Sequence, residues 1–226
     1  MPQQNNTGLI RLGILALPLA GLLSLVGALG GLDSGDPDTD PRGAAQAVVT
    51  TGYFLSQFVG NVLGVTLAVF GVIALFAYLA NTRVGRMASW AMVLCILGFG
   101  LLLSFLGLPT YAIPAIGQEY LNGQQNAIQI GDALFSGKLF AIIILSSLLY
   151  FIGFVLFGVA IWRAETLPKW SGVLLAVAGL FLAVPADLPF VEILGSVLLI
   201  VAGGWIALGV LRQPAPTESE AQPRVR

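Results

Sequence analysis

Histidine is absent from this sequence, and cysteine occurs once, at Cys95. Without histidine there is no histidine-ligated haem, no usual zinc site and no Ser-His-Asp triad. A single thiol cannot close an internal disulfide. Charge is scarce as well. Asp, Glu, Lys and Arg make up 9% of the 226 residues, where a typical soluble domain carries about 25%. The net charge is −1, and no nucleic-acid partner is expected.

What remains is apolar. Hydrophobic residues make up 57% of the chain, and the mean hydropathy is +0.92. A soluble fold of this size needs far more polar surface to cover its core. The excess must face lipid, so the bilayer is the expected partner.

About 20 apolar residues cross the hydrocarbon as a helix. Six runs qualify, at 9–32, 61–80, 87–107, 139–162, 170–188 and 190–211. The second belongs to a longer stretch starting at Ala44, whose early part extends the helix or lies in the interface. Val26, Gly27 and Ala28 offer a signal-cleavage site, but the first run is longer than a signal core and reads as an anchor. Pro185 and Pro189 bracket a tight turn that a re-entrant hairpin would also use, yet the two flanking runs are together long enough to cross twice. The expected fold is an all-α polytopic bundle, residues 1–212, followed by a disordered cytoplasmic tail, 213–226. No internal repeat is visible.

Lys and Arg favour the cytoplasmic side. Six spans with both termini inside put Arg11, Arg83, Arg86, Arg163, Lys169, Arg212, Arg224 and Arg226 in or beside the cytoplasm. Only Arg42 and Lys138 fall outside, so the ten bases split eight to two. The stretch "WRAETLPKW", residues 162–170, becomes a cytoplasmic turn held by Arg163 and Lys169. Trp162 and Trp170 sit at headgroup depth. Thr166 is expected to cap the next helix, and Pro168 to suit its first turn.

The junction "FGVAIWRAETLPKWSGVLLAVAGLFL" combines Phe157, Gly158, Arg163, Leu167, Pro168, Lys169 and Gly172 in one pattern. It resembles the fourth-to-fifth span junction of a bacterial membrane-protein family, the domain of unknown function numbered 4386. The resemblance implies six helices, a polar first loop, a long second helix and a bacterial inner-membrane location. It implies no catalytic residue.

Several residues stand out against this background. Asp36, Asp38 and Asp40 begin with EF-hand spacing, but Pro41 stands where glycine is needed and Ala47 where the bidentate glutamate belongs. No metal or cofactor site is expected, and the loop reads as a solvated outer turn. Gln57 and Asn61 share a helix face. Gly60 with Gly64, and Gly27 with Gly31, form G-x-x-x-G pairs suited to close helix packing. Within one chain they pack its own spans; between chains they would suit a homo-oligomer or another membrane subunit. Ser146, Ser147 and Tyr150 form a polar cluster near the bilayer midplane, read first as packing and second as a ligand pocket. Cys95 reads as a small core residue. Lys138 and Glu192 lie at the outer ends of their spans, where an ion pair forms if the loops fold inward. The outer segment 108–137 mixes amides with spaced apolar residues and suits an amphipathic stretch on the outer leaflet.

Three function classes are open to such a chain. The first is a structural or accessory protein acting through helix packing. The second is a small transporter or permeation protein with a polar midplane site, for which a water-filled cavity reaching Tyr150 would be the mark. The third is an intramembrane enzyme acting on lipid. No paired acid, base or metal set supports the third, and the chain is expected not to be an enzyme.

Overall fold

A computed structural model describes residues 3–32, 38–124, 126–135, 137–184 and 189–212. Asp33, Asp36, Pro185 and the 213–226 tail lie outside the described residues. Every regular element among the described residues is helical.

The first apolar run folds as α1 (Gln3–Ile14) and α2 (Ala16–Gly31). The stretch from Ala44 does not simply extend the second span. It opens with a separate short helix, α3 (Pro41–Val48), because Asp40 caps it, accepting from the Gly43 amide at 3.0 Å. Thr50 then caps a new start, accepting from the Tyr53 amide at 3.1 Å. From there α4 (Thr51–Leu55), a π-helical stretch (Ser56–Leu63) and α5 (Gly64–Leu79) run as one helix, which therefore begins well before Asn61.

The third run is longer than its hydropathy suggests. α6 (Gly85–Gly107) passes through a second π-helical stretch (Leu108–Ala112) into α7 (Ile113–Leu121), giving one apolar helix of 37 residues. Pro109 sits inside the π-helical stretch, where the widened turn absorbs its missing amide. The first part of the segment expected on the leaflet, through Leu121, is thus a continuation of α6. Then come α8 (Ala127–Phe135), α9 (Lys138–Ala164), α10 (Lys169–Ala183) and α11 (Pro189–Leu211).

Among the described residues five helices are long and apolar enough to cross a bilayer: Gly8–Gly31, Thr51–Leu79, Gly85–Leu121, Lys138–Ala164 and Phe190–Leu211. The fifth expected run, 170–188, differs. α10 has 15 residues and ends at Ala183. At 1.5 Å per residue it reaches about 22 Å, short of the roughly 30 Å core. Its first residue is Lys169 with Pro168 at the cap position, so Thr166 is not the cap.

Successive long helices pack side by side and antiparallel, and the last closes on the first. The order α2, α5, α6, α9, α10, α11 is a ring, sealed by α11 against α2. Small residues set the contacts. A side chain on Gly60 would strike the Gly27 backbone, one on Gly203 would meet Leu17 and Pro18, and one on Gly158 would meet the Gly172 carbonyl. The outer surface is apolar, with Leu22, Phe70, Leu97, Leu148, Val201 and Leu208 all exposed. That surface fits lipid.

The two ends of the ring differ. At one end the loops 80–84 and 164–168 are joined. Arg83 donates from Nε to the Arg163 carbonyl at 2.9 Å and reaches the Glu165 carboxylate at 3.6 Å. Lys169 also reaches Glu165, at 3.7 Å, and lies over the Trp162 ring. Here the interior is filled by Ile14, Leu75, Leu79, Phe157, Ile161 and Ile206, all fully buried. At the other end α3 packs on α7, with Gly117 against Val48 and the Ala45 carbonyl. We call these the linked end and the cap end.

Candidate functional site

Towards the cap end the ring is hollow. A cavity of about 810 Å³ lies among α2, the Thr51–Leu79 helix, α6, α9, α10 and α11. Helix direction gives its depth. The lining on α9 begins at Phe140 and ends at Phe154, about 20 Å along the axis. Ala68, Phe99, Phe154 and Leu199 are the lining residues nearest the linked end and form the floor. Pro109, Phe140 and Glu192 stand near the cap end and form the mouth.

The π-helical stretch Ser56–Leu63 supplies one polar wall. Such widened turns are frequent at functional sites. Gln57 and Asn61 both line the cavity, and Asn61 Nδ2 donates to Gln57 Oε1 at 2.8 Å. That bond uses the Gln57 acceptor. It leaves the Gln57 amide nitrogen as a donor without a protein hydrogen bond among the described residues. Gly64, one turn on, also borders the space, and so does Ser24 across from it.

α9 supplies the second polar wall and divides the Ser146, Ser147 and Tyr150 cluster. Ser146 is fully buried and donates to the Gly98 carbonyl at 2.9 Å. It joins α9 to α6 and does not line the cavity. Ser147 and Tyr150 do. The Tyr150 hydroxyl donates to the Leu182 carbonyl, with Ser147 as its side-chain neighbour. Its ring stacks on Phe99 with centroids 5.4 Å apart, and Phe154 meets both rings edge-on. Cys95 is fully buried behind this group, with its thiol towards the Tyr150 carbonyl at 3.8 Å.

The packing glycines separate likewise. Gly27 and Gly60 are in close contact, and Asn61 Oδ1 fills the space a Gly27 side chain would take. Gly64 is looser, its nearest neighbour being Ser24 Oγ at 3.3 Å from a built Cβ. Gly31 faces open space, and Gly30, against Ser56, takes the place assigned to it. These contacts are all within the chain.

Glu192 is exposed and lines the mouth, within electrostatic reach of the Tyr150 phenol. Lys138 is exposed at the start of α9 and forms no ion pair with Glu192. Among the described residues the lining contains one carboxylate and no Lys or Arg.

Reading by residue type therefore found Gln57, Asn61, Gly64, Ser147, Tyr150 and Glu192 as members of three separate groups; the fold brings all six to one cavity. It missed Ser24 and the aromatic wall of Phe99, Phe105, Phe140 and Phe181. Phenylalanine inside a span carries no signal of its own, because it is equally at home against lipid. The arrangement suits a molecule with a polar head and an apolar body, held by hydrogen bonds on two walls and by rings on the others. No protein-family model, curated protein or solved structure matches the chain.

Proposed function

We propose that this chain is a six-span protein of the bacterial cytoplasmic membrane, with both termini in the cytoplasm, that admits a small amphipathic molecule to the ring from outside. This is the small transporter or permeation reading, placed ahead of the accessory one. The observation that carries it is the cavity reaching Tyr150, where polar groups from separate spans converge. A filled, tied linked end beside a cavity that extends towards the cap end suits one state of alternating access.

The span count is supported by the alternation of direction around the ring, in which α10 runs from the linked end to the cap end despite its length. Orientation is supported by charge, since Arg83, Arg163 and Lys169 gather at the linked end and bases mark the cytoplasmic side. The bacterial location rests on the resemblance of the 157–172 junction. The accessory reading loses ground because Gly27 and Gly60 are already used within the chain. A binding role is favoured over a bond-breaking one because the described lining offers one carboxylate and no partner base.

Cysteine accessibility tests the reading. In a Cys95→Ala background in sealed spheroplasts, Ser147→Cys and Gln124→Cys are expected to react with an impermeant methanethiosulfonate, while Thr166→Cys is protected. Labelling at 166 overturns the orientation. A silent position 147 beside a reactive position 124 overturns the outward-open cavity.

A further inference from the structure

Charge in the cavity is one-sided as well as sparse. Taking the cavity as a binding site, as proposed above, we infer that the molecule it takes is an organic cation with an apolar, ring-sized body. Among the described residues, Glu192 is the one ionisable carboxylate on the lining, and no Lys or Arg accompanies it. Lys138, the base that its place in the sequence offered as a partner, makes no ion pair with it. Glu192 is exposed as a residue at the mouth, but its carboxyl is partly withdrawn from water by the surrounding wall. A bound anion would meet like charge in a space walled by hydrocarbon, where interactions are screened far less than in water. A bound cation would replace the lost water with an opposite charge.

The rest of the wall suits the body of such a molecule. Phe99, Phe105, Phe140, Phe154 and Phe181 join Tyr150 around the space. Aromatic faces attract a desolvated cation through the ring quadrupole and bury apolar groups as well. The neutral polar wall of Gln57, Asn61 and Ser147 adds hydrogen bonding without adding charge. At about 810 Å³ the cavity accommodates a compact drug-sized molecule.

Equilibrium binding to the purified full-length protein in nanodiscs tests this. The probes are tetraphenylphosphonium, a rigid aromatic cation, and triphenylphosphine oxide, a neutral relative. Wild type is expected to bind the cation more tightly than the neutral probe. Glu192→Gln is expected to weaken the cation about tenfold or more, the cost of a lost charge contact, and to leave the neutral probe unchanged. Glu192→Asp should retain preference for the cation, which separates charge from folding. Equal binding of both probes, indifferent to Glu192→Gln, overturns the cation assignment and leaves the cavity as a binding site. Binding of neither probe overturns both.

Discussion

The phenol of Tyr150 donates its hydrogen to the carbonyl of Leu182, in the last turn of α10. The final carbonyls of a helix have no partner within it. A side chain from α9 thus satisfies the C-terminus of α10, and the same ring stacks on Phe99 of α6. One residue ties three helices together at the wall of the cavity.

Tyr150→Phe keeps the ring and its stacking but removes the donor. Tyr150 is 4% exposed, so the Leu182 carbonyl loses a partner that cannot easily be replaced. We expect a loss of about 1–2 kcal/mol, seen as a lower Tm in detergent. An unchanged Tm would show that water in the cavity serves the carbonyl equally well.

The glycine contacts predict a ranking. A Cβ on Gly60 meets the backbone of Gly27, which cannot move as a side chain can. Gly60→Ala should cost about 1–3 kcal/mol as the helices are forced apart. Gly64→Ala should cost less, because its neighbours are side-chain atoms and the Ser24 amide at 3.3–3.4 Å. A side chain at Gly31 meets nothing within 4 Å among the described residues, and Gly31 is the last residue of α2, so Gly31→Ala should be close to neutral. Thermal unfolding of the three variants checks the order, and a destabilising Gly31→Ala would break it.

How much of this was legible depends on the quantity each signal measures. Hydropathy marks burial in lipid, so the runs at 87–107, 139–162 and 190–211 fall close to α6, α9 and α11. It fails where polar residues lie inside a span. Hydropathy centres the second span on 61–80 and leaves the stretch before it as helix or interface, whereas the helix runs from Thr51, with Ser56 bonding the Tyr53 carbonyl and the two amides facing a cavity. It also fails at the end of the third run, expected at Gly107. The buried Thr110 hydroxyl donates to the Leu106 carbonyl at 2.7 Å, and the helix continues. The cavity itself was not legible, because closing the ring is a long-range event that no single span records.

Glu165 has a φ of 59°, the left-handed region that usually calls for glycine at a helix C-terminus. Glycine there relieves roughly 1–2 kcal/mol of steric cost but gives up two exposed ion pairs worth about 0–1 kcal/mol each. Glu165→Gly should therefore fall between about 1 kcal/mol of destabilisation and about 2 kcal/mol of stabilisation, with the centre towards stabilisation. Arg83→Ala should do more harm, since it removes guanidinium hydrogen bonds to the otherwise open Arg163 carbonyl. If calorimetry gives the reverse order, the ion pairs and not the carbonyl contact hold the linked end.

Lys138 and Glu192 provide the last prediction. Both stand at the cap end of long helices, both are exposed, and no ion pair joins them. Lys138 is solvated and Glu192 has no cation to leave stranded, so Lys138→Met should shift stability by less than about 0.5 kcal/mol and Glu192→Gln should be neutral or stabilising. Their effects should add, because residues that share no contact usually do so within roughly 0.5 kcal/mol. A double-mutant cycle on thermal unfolding measures this directly. A coupling energy above about 1 kcal/mol would mean that the two charges meet in the membrane, and Glu192 would then arrive at the cavity already neutralised. Additivity, combined with loss of cation binding in Glu192→Gln, would place the carboxylate's role in recognition and not in the fold.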